Sequence, residues 1–297
     1  MNGDRRSRIL GGLPEGARSA AVGLVSTLVV FGLIAWGITH APGWTEVKAT
    51  FFDWPVFRDS LPEVGRAFLV NVKIFLLAEA IVLVAALVIA VMRSTKGPVL
   101  LPLRILAIIY TDFFRGVPGI LFIYLLAFGA PALQIDGVPE SPFFWGVVAL
   151  SLVYTAYVSE VYRAGIESVH PSQDAAARSL GLTSLQSMRY VVLPQAIRRV
   201  IPPLLNDFIG LQKDSALVAT VGVVESLRQA QINSSAIFNF TPFVVTAMFF
   251  LAMTIPLTRV TDWLIARDRR NRQAGGVGLV MVGDTRGKTG GGGGLPT

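Results

Sequence analysis

The sequence of 297 residues contains no cysteine. Disulfides, thiolate metal sites and a cysteine nucleophile are therefore excluded. Histidine is nearly missing too, and with His40 and His170 alone a histidine-based metal cluster lacks ligands, so no metal or cofactor is expected. Charge is scarce: 15% of residues are charged and 53% hydrophobic, with mean hydropathy +0.59, well off the balance of an ordinary soluble domain. The formal charge of +7 suggests nucleic acid only until its placement is considered. The basic residues are dispersed between apolar runs, without an aromatic-rich basic face. A nucleotide site is lacking as well: Gly283 to Thr289 imitates a phosphate-binding loop but has too few residues between its glycines and no flanking strand and helix.

What is present is a series of apolar runs. Residues 20–38 form an uncharged stretch of about 19 residues, long enough to cross a bilayer. A basic start before an apolar run also describes a signal peptide, but no small-residue cleavage site follows. Further runs occupy residues 65–92, 105–128, 143–165, 201–224 and 241–265. The sequence thus predicts an all-α polytopic membrane protein of about six transmembrane helices. Trp36, Trp44 and Trp54 suit interfacial anchoring, and residues 51–64 suit a short interfacial helix. Residues 225–240 are mixed in character and fit either a loop or a re-entrant segment.

Charge orients these spans. Most of the Lys and Arg residues fall in four segments: Arg5, Arg6, Arg8 and Arg18; Arg93, Lys96 and Arg104; Arg163 to Arg199; and the tail from Arg267 onward. The alternate loops hold only Lys48, Arg58 and Arg228, with Arg66 at an edge. The asymmetry places both termini and the loop at 166–199 in the cytoplasm. The expected organisation is a cytoplasmic segment (1–18), a first span with an external segment (19–64), a five-helix core (65–265) and a disordered cytoplasmic tail (266–297). The basic part of that tail suits anionic lipid headgroups.

The one sizeable polar segment between apolar spans is residues 170–196, and its local signals are specific. Ser172 is placed to cap a helix, Asp174 to complement its N-terminus and to pair with Arg178, and Gly181 to end it after Ala175, Ala176 and Ala177. Thr183 with Gln186 forms a capping-box pattern for a second helix, which Pro194 is expected to stop. By itself this is a loop helix packed on its own protein, or a smooth surface for another.

The string DAAARSLGLTSLQSMRYVVLPQA resembles the cytoplasmic EAA signature of permease subunits of ATP-binding-cassette importers: an acid followed by two alanines, a glycine, then Leu-Pro. Here these are Asp174 (in place of Glu), Ala175, Ala176, Gly181, Leu193 and Pro194. Arg115-Gly116-Val117-Pro118, residues 158–166 and Lys213 to Leu217 extend the similarity toward the polar amino acid uptake branch. The resemblance implies a type I importer permease fold in a bacterial cell membrane. It also implies a second permease subunit, identical or paralogous, two ATPase subunits docking at residues 172–181, an extracytoplasmic solute-binding protein and an amino-acid substrate. It assigns ATPase coupling to Asp174, Ala175, Ala176, Arg178, Gly181, Leu193 and Pro194.

Ionisable residues inside spans face a partner, a cavity or a pathway. On a straight third span Arg115 would lie about 16 Å from Arg104, near mid-bilayer, with Asp112 one turn away to pair with it. Gly116 and Pro118 predict a locally opened helix there. Arg115, Gly116, Pro118, Lys213 and Asp214 are candidates for a solute pathway matched to a zwitterion, or else structural pairs. Lys73 and Glu79 are expected to neutralise each other, Glu160 and Arg163 to brace the polar loop, and Tyr154 and Tyr157 to pack. The competing classes are an intramembrane enzyme using Glu160, Asp207 or Asp214, a permease for another small solute, and a passive channel or scaffold.

Overall fold

The computed structural model describes residues 15–94 and 97–283. Residues 1–14 and 284–297, with much of the expected N-terminal segment, the end of the tail and nearly all of the loop-like 283–289, lie outside the described residues. The elements in order are α1 (Glu15–Thr39), α2 (Trp44–Phe51), α3 (Trp54–Ser94), α4 (Leu101–Gly116), α5 (Gly119–Ala132), α6 (Pro142–Glu167), α7 (Pro171–Ser179), α8 (Ser184–Ser187), α9 (Leu193–Asp214), α10 (Ser226–Ile237) and α11 (Thr241–Gly283). A π-helical turn, Met188–Val192, joins α8 to α9, and a 3₁₀ segment, Ser215–Val221, follows α9. Among the described residues all regular structure is helical, the solution that lets an apolar segment satisfy its own backbone polar groups away from water.

Four stretches are long and apolar enough to span: Ser19–Thr39, Trp44–Ser94, Pro142–Glu167 and Thr241–Arg267. The third predicted span, 105–128, is not one straight helix but α4 and α5, bent by 101° at Val117-Pro118, and it counts as a fifth only if the pair is one span. Pro118 lacks the N–H that would continue α4, and Val117 is pushed to an extended φ of -112° before it. The predicted fifth span, 201–224, is α9 and the 3₁₀ segment. It does not qualify on composition, because Arg198, Arg199, Asp207, Lys213 and Asp214 all lie on α9. By length and composition the described residues therefore give four or five spans where about six are predicted.

Other boundaries differ for local reasons. The expected interfacial helix at 51–64 is divided between α2 and the first turns of α3, with residues 52 and 53 outside helix. Residues 225–240 contain a capped helix, α10. The last helix runs on to Gly283, beyond residue 266 where disorder was expected.

The core centres on α6, which packs along α3 and is flanked by α5 and α9. Ile74, Phe75, Ala78, Val82 and Ala86 of α3 meet Leu150, Val153, Tyr154 and Val158 of α6 in one buried cluster. Glycines set the closeness: a Cβ at Gly146 would stand 2.7 Å from Val218, and one at Gly165 only 1.9 Å from Val200. Such approach supplies the packing that a hydrophobic effect cannot supply within lipid. A polar knot pins α10 to α3. Asn71 Nδ2 donates to Glu225 Oε2 at 2.7 Å and to Ser215 Oγ at 3.2 Å, while the Ser226 amide and hydroxyl donate to Asn71 Oδ1 at 3.0 and 2.8 Å. Glu225 also caps α10 through the amides of Leu227 and Arg228. By contrast, none of the α1 span is buried.

Candidate functional site

The polar loop is a self-supporting unit. His170, not Ser172, caps α7, its ring Nδ1 accepting from the Ser172 amide at 3.2 Å. Pro171 takes the first helical position, where its missing N–H costs nothing, and so starts the helix earlier than the serine suggests. Gly181 ends the unit with φ +90. The Leu182 amide returns to Ala177 O at 3.3 Å and that of Gly181 to Arg178 O at 2.9 Å, the bond pair of a Schellman motif. Ala177 is buried, whereas Ala175, Ala176 and Arg178 are exposed. Asp174 does not pair with Arg178. It accepts the Ser187 hydroxyl at 2.5 Å and so ties α7 to α8. Both arms of the Thr183 and Gln186 capping box are present.

Pro194 does not stop the second helix but stands in the first turn of α9. An α-helical path into it would set its ring against the carbonyl of Tyr190 and lacks an N–H to bond there. The chain meets this with the π-helical turn, in which the Leu193 amide donates five residues back to Met188. Leu193 and Pro194 are exposed beside it.

Beneath the loop an ion network joins α3 to α6, and a hydrogen bond from α9 adjoins it. Glu160 accepts from Arg93 of α3 and, at 2.7 Å, from Arg163, which also pairs with Glu167. Arg199 of α9 donates to the Ser168 carbonyl. Val169, Val192 and Ala196 form a small apolar cluster under the loop. Glu160 and Arg163 thus lie where bracing was expected, but Arg93 and Arg199 were missed. They are distant in sequence, and a basic residue at a span end reads only as an orientation signal. A cavity of about 380 Å³ opens beside the network, lined by Glu160, Val161, Ala164, Gly165, Ser168, Arg199 and Pro203.

The charges at membrane depth are arranged differently from the sequence pairing. Arg115 makes no ion pair with Asp112. Its guanidinium lies 5.7 Å from the centre of the Tyr157 ring, and the 101° bend removes the straight axis along which its depth was reckoned. Asp214 does not pair with Lys213. It accepts the Tyr154 hydroxyl at 2.8 Å, giving Tyr154 more than a packing role. Lys73 is exposed and Glu79 buried on different sides of α3, so these two do not neutralise each other. Asp112, Arg115, Gly116, Pro118, Tyr157, Asn206 and Lys213 are all exposed on the single chain. Glu160 is held by Arg93 and Arg163, and Asp214 by the Tyr154 hydroxyl.

Long apolar helices, exposed charges on α4 and α9 and a capped polar loop agree with a membrane transport component. Residues 102–270 match the family described as binding-protein-dependent transport system inner membrane component, and the chain belongs to that family. Relatives that it matches include permease proteins named for amino-acid transport. It is 39% identical over 199 residues to the probable glutamine ABC transporter permease protein GlnM of Bacillus subtilis, covering 65% of this chain and 88% of that one. With the arginine transport system permease protein ArtQ of the same organism it shares 31% over 208 residues, covering 69% and 92%. Among solved structures it resembles an amino acid ABC transporter crystallised with histidines, at 34% identity and TM-score 0.61, covering 73% of this chain and 94% of that chain. The MetNI methionine transporter, at 16% identity and TM-score 0.52 over 69% and 94%, shares the fold.

Proposed function

We propose that this permease imports a polar amino acid by alternating access, driven by separate ATPase subunits that grip α7. Two copies, or this chain with a paralogue, enclose the path; two ATPases sit under the loops; and a solute-binding protein delivers substrate from the opposite side. Both termini and the loop face the cytoplasm, in keeping with the distribution of Lys and Arg. The observation that carries the reading is the construction of α7 and its tie to α8 through Asp174 and Ser187. The helix is a short rod closed at both ends by its own caps and exposing Ala175, Ala176 and Arg178, and the chain leading into it is held to α3 and α9 through Glu160, Arg93, Arg163 and Arg199. A force on such a rod moves α3, α6 and α9 rather than bending the loop.

The bend at Gly116-Val117-Pro118 and the exposed Arg115 and Lys213, with Asp214 close by, supply charges of both signs for an ammonium and a carboxylate. The test is ATP-dependent glutamine uptake in vesicles carrying the permease, its ATPase and its binding protein. Gly181→Glu places a charged side chain where φ is +90 and on the gripping surface. Uptake should disappear while the protein still inserts in the membrane, and undiminished uptake would refute the docking role. Uptake without ATP would instead identify a passive channel.

A further inference from the structure

The turn between α10 and α11 holds an aromatic residue in a conformation that suits glycine. Phe238 has φ 51 and ψ 39, the left-handed region that a bulky side chain resists. Asparagine tolerates that region well, yet Asn239 stands one position later and serves as a clamp: its Nδ2 donates to Ala49 O at 3.1 Å and its Oδ1 accepts from the Thr241 amide at 2.9 Å. The Phe240 amide donates to Thr50 O at 2.8 Å, and its ring stacks on Phe51 with centroids 5.2 Å apart. On the other side, Asn233 donates to Glu63 at 2.9 Å and the Asn71 and Glu225 knot fixes the start of α10. Between these fastenings the Phe238 side chain is 89% exposed, the highest value for any large apolar side chain among the described residues.

The strain is not repaid by burial within the chain, so the ring is presented to something outside it. We propose that Phe238 is an anchor for the solute-binding protein, entering an apolar pocket on that partner when it docks. This rests on the transport function proposed above. The turn lies at the opposite end of α3 from the polar loop: Phe240 bonds Thr50 just before α3 and Asn233 bonds Glu63 near its start, whereas Arg93 at its far end meets Glu160 beside the loop. With the loop facing the cytoplasm as proposed above, the turn is on the side from which a solute-binding protein would deliver substrate to a member of a binding-protein-dependent family. Lipid explains the geometry less well. Trp54 and Phe52 already offer aromatic surface on ordinary backbone of negative φ, and a ring dissolved among acyl chains has no need of a fixed left-handed pedestal. A preorganised, exposed aromatic is what a protein interface uses, because little freedom remains to be lost on docking.

Phe238→Gly separates the ring from the fold, since glycine accepts this backbone freely. The complete transporter, with ATPase subunits, is placed in nanodiscs and its ATP hydrolysis followed against the concentration of its binding protein. The variant should keep the basal rate and thermal stability of the wild type, while the concentration for half-maximal stimulation rises about tenfold. An unchanged concentration would overturn the anchor. A photoreactive benzoyl-phenylalanine at 238 should crosslink to the binding protein. Crosslinks only to lipid or to a second copy of this chain would also overturn it. Absence of stimulation in the wild type would sink the transport reading and the anchor together, whereas stimulation indifferent to Phe238→Gly sinks the anchor alone.

Discussion

At Gly165 an added methyl group would come 1.9 Å from Val200 Cγ2 and 3.5 Å from the Ala196 carbonyl, so α6 and α9 touch there through a bare Cα. The contact lies beside Glu160 and under the polar loop, and it sets the spacing of two helices the loop connects. Gly165→Ala is expected to cost about 1–3 kcal/mol through forced separation. Thermal unfolding of the purified protein would check this, with Gly129→Ala, where nothing lies within 4 Å, as the comparison. The residue scale was legible where a signal is local. Gly181 and the Thr183 and Gln186 pair do in the structure what their types and spacing predict. It failed where two local signals compete, as when Pro171 and His170 displaced Ser172 from the cap. Asp174 shows the third case: a carboxylate with a plausible partner in its own helix found a better one in the next, and only the fold brings Ser187 to it.

Among the elements, the π-helical turn carries the clearest consequence. Met188–Val192 joins α8, to which Asp174 ties the rod α7, to α9, and its unusual register follows from Pro194, which cannot donate and crowds the carbonyl one turn back. Pro194→Ala restores the missing donor and removes the crowding, allowing an ordinary helical register. Each residue of register turns the attached segment by about 100°, enough to redirect α7 relative to α9. The expected result is uncoupling: ATP hydrolysis continues in the assembled transporter while uptake per ATP falls by at least about tenfold, the equivalent of 1.4 kcal/mol. Parallel assays of hydrolysis and uptake in one vesicle preparation decide it, and an unaltered ratio would show that the turn has no part in transmission. Sequence identified the uncharged spans readily because hydrocarbon admits so few alternatives. It described the α4 and α5 pair only partly, since Gly116 and Pro118 announce an opening but not an angle. The run at 201–224 was legible as apolar, but the helix built on it, α9, begins at Leu193 and carries five charged residues, so composition alone does not qualify it as a span.

For the whole molecule the decisive feature is the set of charges left exposed on α4 and α9. Asp112, Arg115 and Lys213 are exposed on the single chain with Tyr157 and Asn206, and a charged side chain facing hydrocarbon is costly enough to be rare. Such side chains call for water, solute or a second subunit beside them. Sequence located these charges within spans but could not give their direction, because the bend after Arg115 and the packing of α9 decide it. If these charges line the path, Arg115 acts on the solute and not on the fold. Its guanidinium is spread over Tyr157 at 5.7 Å and enters no ion pair among the described residues, so its removal strands no buried charge. Arg115→Ala should accordingly leave membrane insertion, subunit assembly and basal ATP hydrolysis near wild type. Uptake of an amino acid should fall at least about tenfold, a loss of 1.4 kcal/mol or more in stabilising the passing carboxylate. Arg115→Lys keeps the charge but loses the planar donor fork, and should recover uptake only in part. Normal uptake by the alanine variant would remove Arg115 from the path, and loss of assembly would make it a subunit contact instead.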